Sequence, residues 1–433
     1  MKHSFALLGV LLVGAVPVRT TDWLARIEPE ARRVEPRIIE IRHQIHQNPE
    51  LSNREEKTAA LVAGYLRDLG LEVKTGVARH GVVALLKGGR PGPVVAVRAD
   101  MDALPVTEQT DLPFASKVRA TYQGQEVGVM HACGHDVHTA VQLGVASVLA
   151  ALKADLPGTV KFIFQPAEEG APAGEEGGAA LMVKEGALEN PRPQAIFGLH
   201  AMAQMGVGDL GYSEGPALSA ADTWEVRIVG RQSHGARPEL SIDPIVTAAQ
   251  FIEALQTIRS RSFSGLEPGV VTVGTIHGGQ RHNIIPAEVT LTGTIRTFQP
   301  EMSRLAEARL RAILKGVTEA AGATGEVVRF ERGATATVND AALTRESAPA
   351  LERVVGKEHV ARIPPAMASE DFSYFASEVP GFFYRLGQVK PGTTSGDHHT
   401  PTFRADDSSI LVGIRAMSFL LADYLDRHQP PGR

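Results

Sequence analysis

The sequence predicts an α/β fold: a mixed, largely parallel sheet flanked by helices, with a smaller ferredoxin-like α+β domain inserted into it. Three observations carry this expectation. Helical periodicities alternate with short apolar runs along the first half of the chain. Between about Gly215 and Gly333 the pattern changes to strands that are apolar on one face only. The length of 433 residues also exceeds what a single core usually sustains.

The chain begins with Lys2 and His3 ahead of an apolar run from Phe5 to Val18, the layout of a secretory signal over residues 1–21. The run is interrupted at Pro17 and is shorter than the ~20 residues that cross a bilayer, so no stable membrane span is expected. Export to the periplasm or beyond is the expectation, with the cytoplasm as the alternative. Helical spacing then runs through Arg37 to Gln47 and Glu55 to Leu69, followed by extended stretches at Val82 to Leu86 and Val94 to Arg98. An apolar helix is expected near His138 to Leu152, and strands at Thr159 to Phe164 and Ala195 to Leu199. These strands are short and almost wholly apolar, as in a parallel sheet covered on both faces.

In the next segment Trp224, Val226 and Ile228 alternate with Glu225 and Arg227, and Ile245, Ala248, Ile252, Leu255 and Ile258 recur at helical spacing. Val270 to Ile276 and Glu288 to Thr297 read as strands, Met302 to Val317 as a helix and Glu326 to Phe330 as a final strand. The order β-α-β-β-α-β defines a ferredoxin-like unit. The expected division is residues 22–214 and 334–433 for the larger domain and 215–333 for the insert.

Composition narrows the function. Apolar residues make up 43% and charged residues 21%, which excludes disordered, collagenous and coiled-coil classes. The net charge of -5 gives no global attraction to nucleic acid. The single cysteine, Cys133, rules out an intrachain disulfide and leaves a thiol for packing, ligation or nucleophilic attack.

Chemistry concentrates in four places. In HACGHDVHTA (131–140), Cys133 and His135 flank a glycine just ahead of an apolar helix, a thiolate and an imidazole suited to a metal. A lone buried cysteine is more often simple packing, but the neighbouring histidines and aspartate are costly beside a core unless something satisfies them. In QPAEE, Glu168 and Glu169 follow the strand VKFIF; on extended backbone they point to opposite sides, one toward a metal and the other toward a water. His200 ends the strand AIFGLHA, and His398 and His399 lie in GDHHTPTF. The strands ending at Asp100 and Asp102, at Glu168 and Glu169, and at His200 all carry polar groups at their carboxyl ends, where open parallel sheets form their crevices. A serine nucleophile at Ser213 in GYSEG is a rival reading, weakened by Pro216 and the lack of a strand-elbow-helix context.

HACGHD, QPAEE, GLH, GTIRTF, SEDF and HTP, in this order, resemble the metallopeptidase family of aminoacylases and related carboxypeptidases, most closely its N-acyl-amino-acid amidohydrolase subgroup of hippurate and auxin-conjugate hydrolases. The resemblance spans about residues 30 to 425. It implies two divalent ions (zinc, manganese, cobalt or nickel), with Cys133 bridging them and His135, Glu169, His200 and His399 completing the shell; His399 is chosen over His398 because it directly precedes Thr-Pro. It implies Glu168 as general base, Asp102 as an orienting residue, and no metal on Asp100. It further implies that His234, Asn283 and Arg296 of the insert meet a small N-acyl amino acid or peptide substrate, and that the insert forms a homodimer. The chain departs from many relatives at Glu239, where they have histidine. A ligand-binding protein that cleaves nothing is the non-enzymatic alternative; the presence of Glu168 beside the five candidate ligands argues against it.

Overall fold

The computed structural model describes residues 22–430, so the signal expected over residues 1–21 lies outside the described residues. An eight-stranded sheet organises the larger domain. Its order is Glu72–Val77, Gly81–Lys87, Pro157–Gln165, Arg90–Asp100, Ala195–Gly206, Gly381–Val389, Leu210–Tyr212 and Val360–Arg362. The four central strands, from Pro157–Gln165 to Gly381–Val389, run parallel, and antiparallel partners flank them. The carboxyl ends of three of these strands lead into Asp102, Glu168 with Glu169, and the segment near His200, so one edge of the sheet collects the polar groups.

Helices Trp23–Gln47, His135–Ala151 and Ser408–Arg427 cover one face, burying Ile27, Ile38, Val137, Ile414, Val97 and Phe162 together. The other face packs under Gly178–Lys184 and Phe372–Ala376, with Ala96, Ile163, Ile196 and Phe383 in its core. Helix Ser408–Arg427 is long and apolar enough to cross a membrane, but 72% of its apolar window is buried, which accounts for the composition as core packing. The first helix starts at Trp23 rather than Arg37. Its buried stripe of Trp23, Ile27, Ala31 and Val34 continues the same spacing backwards, and Pro29 and Pro36 lie on its exposed side. A stripe that spans the whole helix outweighs two prolines whose cost falls on single hydrogen bonds.

The insert has the predicted order. Its sheet runs Gly269–Gly278, Glu288–Thr297, Ala220–Val229, Thr324–Arg332, antiparallel throughout. Helices Pro244–Leu255 and Pro300–Ala321 cover one face over a core of Trp224, Val226, Ile228, Phe251, Leu291 and Leu310. Alternation along the strands sends Val270, Thr272, Thr294 and Arg296 to the opposite face, which looks into a cavity shared with the larger domain. The connecting segments Gly215–Leu218 and Thr337–Asn339 pair with each other and tie both ends of the insert to the larger domain.

Candidate metal centre

The loop before helix His135–Ala151 turns on Gly134, whose φ of 90° lies in the left-handed region that favours glycine; an added Cβ would come within 3.1 Å of the Ala201 methyl. That turn sets Cys133 and His135 on either side of the helix start, both buried. The His135 Nδ1 lies 2.9 Å from the Asp102 carbonyl and 3.3 Å from its carboxylate, which leaves Nε2 free.

Glu168 and Glu169 sit in a turn rather than on extended backbone, so their side chains converge instead of diverging. The turn is entered through Ala167 at φ 52°. Asp102 holds it: its two carboxylate oxygens accept from the Glu168 and Glu169 amides at 3.1 and 3.0 Å, and from the Ser52 hydroxyl at 2.7 Å. The carboxylates of Glu168 and Glu169 each approach His135 Nε2 to 3.9 Å. His200 donates through Nδ1 to the Ala201 carbonyl, 2.8 Å away, and turns Nε2 toward Cys133 Sγ at 3.5 Å. His399, at φ 64°, brings Nε2 to 3.3 Å from Glu169. Two non-glycine residues at positive φ beside one cluster fit the tendency of functional sites to hold strained backbone.

Cys133, His135 and His200 have candidate ligand atoms within 4.8 Å of one another, and so do Cys133, Glu169 and His399. Cys133 belongs to both groups. His135 Nε2 is buried without a hydrogen-bond partner and Glu169 Oε1 meets only the His399 imidazole at 3.3 Å, a condition that a cation relieves. A thiolate, three imidazoles and a carboxylate therefore fit two divalent ions. Asp100, His135 and His138 also lie close together. His138, however, meets Asp100 through Nδ1 at 2.6 Å and accepts from the Ala201 amide through Nε2 at 2.8 Å, so neither nitrogen is free. Asp100 is taken by His138 and by Arg98 at 2.7 Å, in accord with leaving it out of the ligand set. Asp136 is likewise consumed by Arg42 and His46. His138 and much of Asp136 are thus answered by protein, while His135 Nε2 and both nitrogens of the buried His131 have no hydrogen-bond partner, and of this cluster Cys133 lines the cavity.

Burial pushes the Cys133 thiol well above its ordinary range, with Glu169 adding to the effect; coordination reverses this, because a cation stabilises the thiolate. Burial also pushes the Glu168 carboxyl up strongly, helped by Glu370 and Glu169. Burial and the neighbouring His138 hold the His200 imidazole well below its usual value, so it is neutral and able to ligate. Burial works against charge on His135, but Asp100, the bond to Asp102 and Cys133 outweigh it and raise its pKa well above the ordinary value.

A cavity of about 800 Å³ lies over this cluster, lined by Cys133, Glu168, Glu169, His200 and His399 from below and by Arg296 from the insert. Arg296 donates to the Ser369 hydroxyl at 2.9 Å and is not the ordinary exposed strand arginine. His234 and Asn283 do not line it. They lie side by side where Ser233–His234 pairs with Ile284–Ile285, His234 exposed on the surface of the insert. Glu239 forms an ion pair with Arg237 there. Ser213 is buried, donating to the Ile363 carbonyl at 3.0 Å, which removes it as a nucleophile. Sequence reasoning did not single out Glu370, Arg385 or Arg98. Glu370 is 2% exposed and bonded to Arg98 at 2.9 Å. The signal was present, since charged residues inside apolar strands such as VVAVRAD and GFFYRLG are unusual.

Residues 96–423 match the peptidase family M20/M25/M40. The chain is 37% identical over 415 residues to an N-acetyl-L-cysteine deacetylase of Bacillus subtilis, covering 94% of this chain and 93% of that protein. It is 36% identical over 409 residues to thermostable carboxypeptidase 1 of Saccharolobus solfataricus, 94% and 100% covered. Among solved structures, the YXEP protein of Bacillus subtilis, described as a dinuclear metal binding peptidase, superposes with a TM-score of 0.75 at 33% identity over 91% of this chain and 99% of that one. A shared cysteine between two ligand trios, a paired glutamate over them and these full-length likenesses lead to one conclusion: the chain belongs to the peptidase family M20/M25/M40 and is a metal-dependent hydrolase of amide bonds.

Proposed function

We propose that this enzyme cleaves the amide bond of N-acyl amino acids or short peptides, with Cys133, His135, Glu169, His200 and His399 holding two divalent ions and Glu168 as general base. The convergence of Glu168 and Glu169 on His135 Nε2, 3.9 Å from each, carries the reading. When bound, the ions supply a polarised carbonyl and an acidified water. Glu168, which lines the cavity beside the candidate ligands, would accept a proton from the attacking water and pass it to the leaving nitrogen. Asp102 keeps the two glutamates in place through their amides. His399 serves rather than His398, because His398 Nε2 is engaged at the Ala201 carbonyl, 3.0 Å away.

Arg296 faces the cavity from the insert and holds the substrate α-carboxylate, a planar anion matched to a guanidinium fork. Met202, Leu218, Ala366 and Met367 supply apolar wall for the rest of the molecule. His234 and Asn283 reach a substrate only from another copy. The edge strand Gly269–Gly278 and its surroundings favour such a homodimer: Ile276, Ile284, Ile245 and Val246 are 48%, 40%, 45% and 54% exposed. The relatives named for deacetylation and carboxypeptidase action support this substrate class.

Replacing Glu168 by Gln tests the reading. Metal content should remain near normal while turnover of acetyl, benzoyl and indole-acyl amino acids falls ~10²- to 10⁴-fold. Undiminished turnover would remove Glu168 as the base, and tight ligand binding without any turnover in the unaltered protein would favour a binding protein.

A further inference from the structure

Arg385 is the charged group of the cavity that amide hydrolysis, as described, leaves unused. It lies on strand Gly381–Val389 in register with His200 on the neighbouring parallel strand, so the two side chains leave the sheet on the same face. It is 7% exposed, yet it lines the cavity with Cys133, His200 and Glu370. Its guanidinium lies over the Phe383 ring at 5.3 Å. Among the described residues no carboxylate forms an ion pair with it; Asp100 and Glu370 pair with Arg98 instead. Glu370, whose charge acts on it, is already bonded to Arg98 at 2.9 Å.

A buried cation without a partner is costly, and divalent ions held by Cys133 and His200 would add to the repulsion. Burial lowers the Arg385 pKa only to about 10, which leaves it charged at neutral pH. Its guanidinium opens onto the cavity, where an anion entering with the substrate would find an uncommitted cationic partner. Arg296 lines the same cavity from the insert and accounts for one carboxylate.

We propose that Arg385 forms a second carboxylate subsite, making the preferred substrate a dicarboxylate; this rests on the hydrolytic reading of the site. The second carboxylate has two possible sources, the side chain of an N-acyl aspartate or glutamate, or the far end of a succinyl-type acyl group. Glu239 does not oppose a dianion, since Arg237 answers its charge on the surface.

Two matched substrate pairs separate the sources. N-acetylglutamate is compared with N-acetylglutamine, and N-succinylalanine with N-butyrylalanine, by kcat/KM. In at least one pair the charged member should be favoured ~10- to 100-fold, the range for a charge-assisted hydrogen-bonded pair. Arg385→Gln should bring that ratio close to one, and Arg385→Lys should restore part of it. The favoured pair names the source. Metal-free protein gives a second readout: glutarate should bind more tightly than butyrate by calorimetry, and Arg385→Gln should abolish the difference. No charged preference in either pair, or a preference that survives Arg385→Gln, overturns the proposal. If no acyl amino acid is cleaved with any metal, the hydrolytic reading fails instead, and the glutarate comparison still decides whether Arg385 is an anion site.

Discussion

Cys133 illustrates how far a single side chain is decided by its neighbours. Packed alone it would be an inert buried thiol, and its raised pKa expresses that. Its place in two ligand trios makes it the group whose loss uncouples them. Cys133→Ser should weaken metal binding by at least ~10- to 100-fold, the loss typical of residues one step further from a metal; equilibrium dialysis showing full loading would count against the bridge. Arg296→Ala should lower kcat/KM by ~10- to 100-fold for substrates with a free α-carboxylate and less for their amides, as expected for one charge-assisted pair. Equal losses in a side-by-side assay would sink that assignment. Residue types and motif order pointed to Cys133, His135, His200 and both glutamates. The physical reason that His135 rather than His138 stays free lies in Asp100 and the Ala201 amide, which occupy His138 and are distant in sequence.

Helix Trp23–Gln47 docks against helix His135–Ala151 through a buried polar seam as well as through its apolar stripe. Arg42 and His46 both meet Asp136, at 2.9 and 3.0 Å. Burial alone would lower the His46 pKa, but the Asp136 charge and hydrogen bond, with Glu108, raise it from 6.5 to about 9. The charged form is favoured in the folded protein, so this contribution is fully present below pH 6.5 and is lost as pH rises through about 9; two to three units correspond to ~3 kcal/mol. Urea denaturation should show unfolding free energy falling across that window, and His46→Gln should flatten the fall. An equally steep fall in the variant would place the effect elsewhere. The helix itself was legible only from Arg37 onward, since its prolines mask a periodicity that becomes convincing once the buried face is seen. The turn at Glu168 and Glu169 was likewise misread as extended, because the backbone there answers to Asp102 rather than to local propensity.

At the level of the whole molecule, the insert roofs the cavity with one face and leaves His234 and Asn283 outside it. If a second copy supplies them, His234→Ala and Glu168→Gln damage different halves of a shared site. Each variant alone should be nearly inactive, and mixing them under conditions of subunit exchange should recover activity. No recovery in heterodimers verified by mass spectrometry would argue that each chain works alone. The sequence by itself determined the α/β architecture with its insert, the ferredoxin-like order and the residue types that gather in the candidate metal centre, because hydrophobic period and motif spacing are local quantities. The tertiary structure decided which polar groups remain free. That selection depends on partners far apart in the chain: Asp102 gripping the glutamate turn, Asp100 and Ala201 occupying His138, and Arg98 claiming Glu370 so that Arg385 faces the cavity alone.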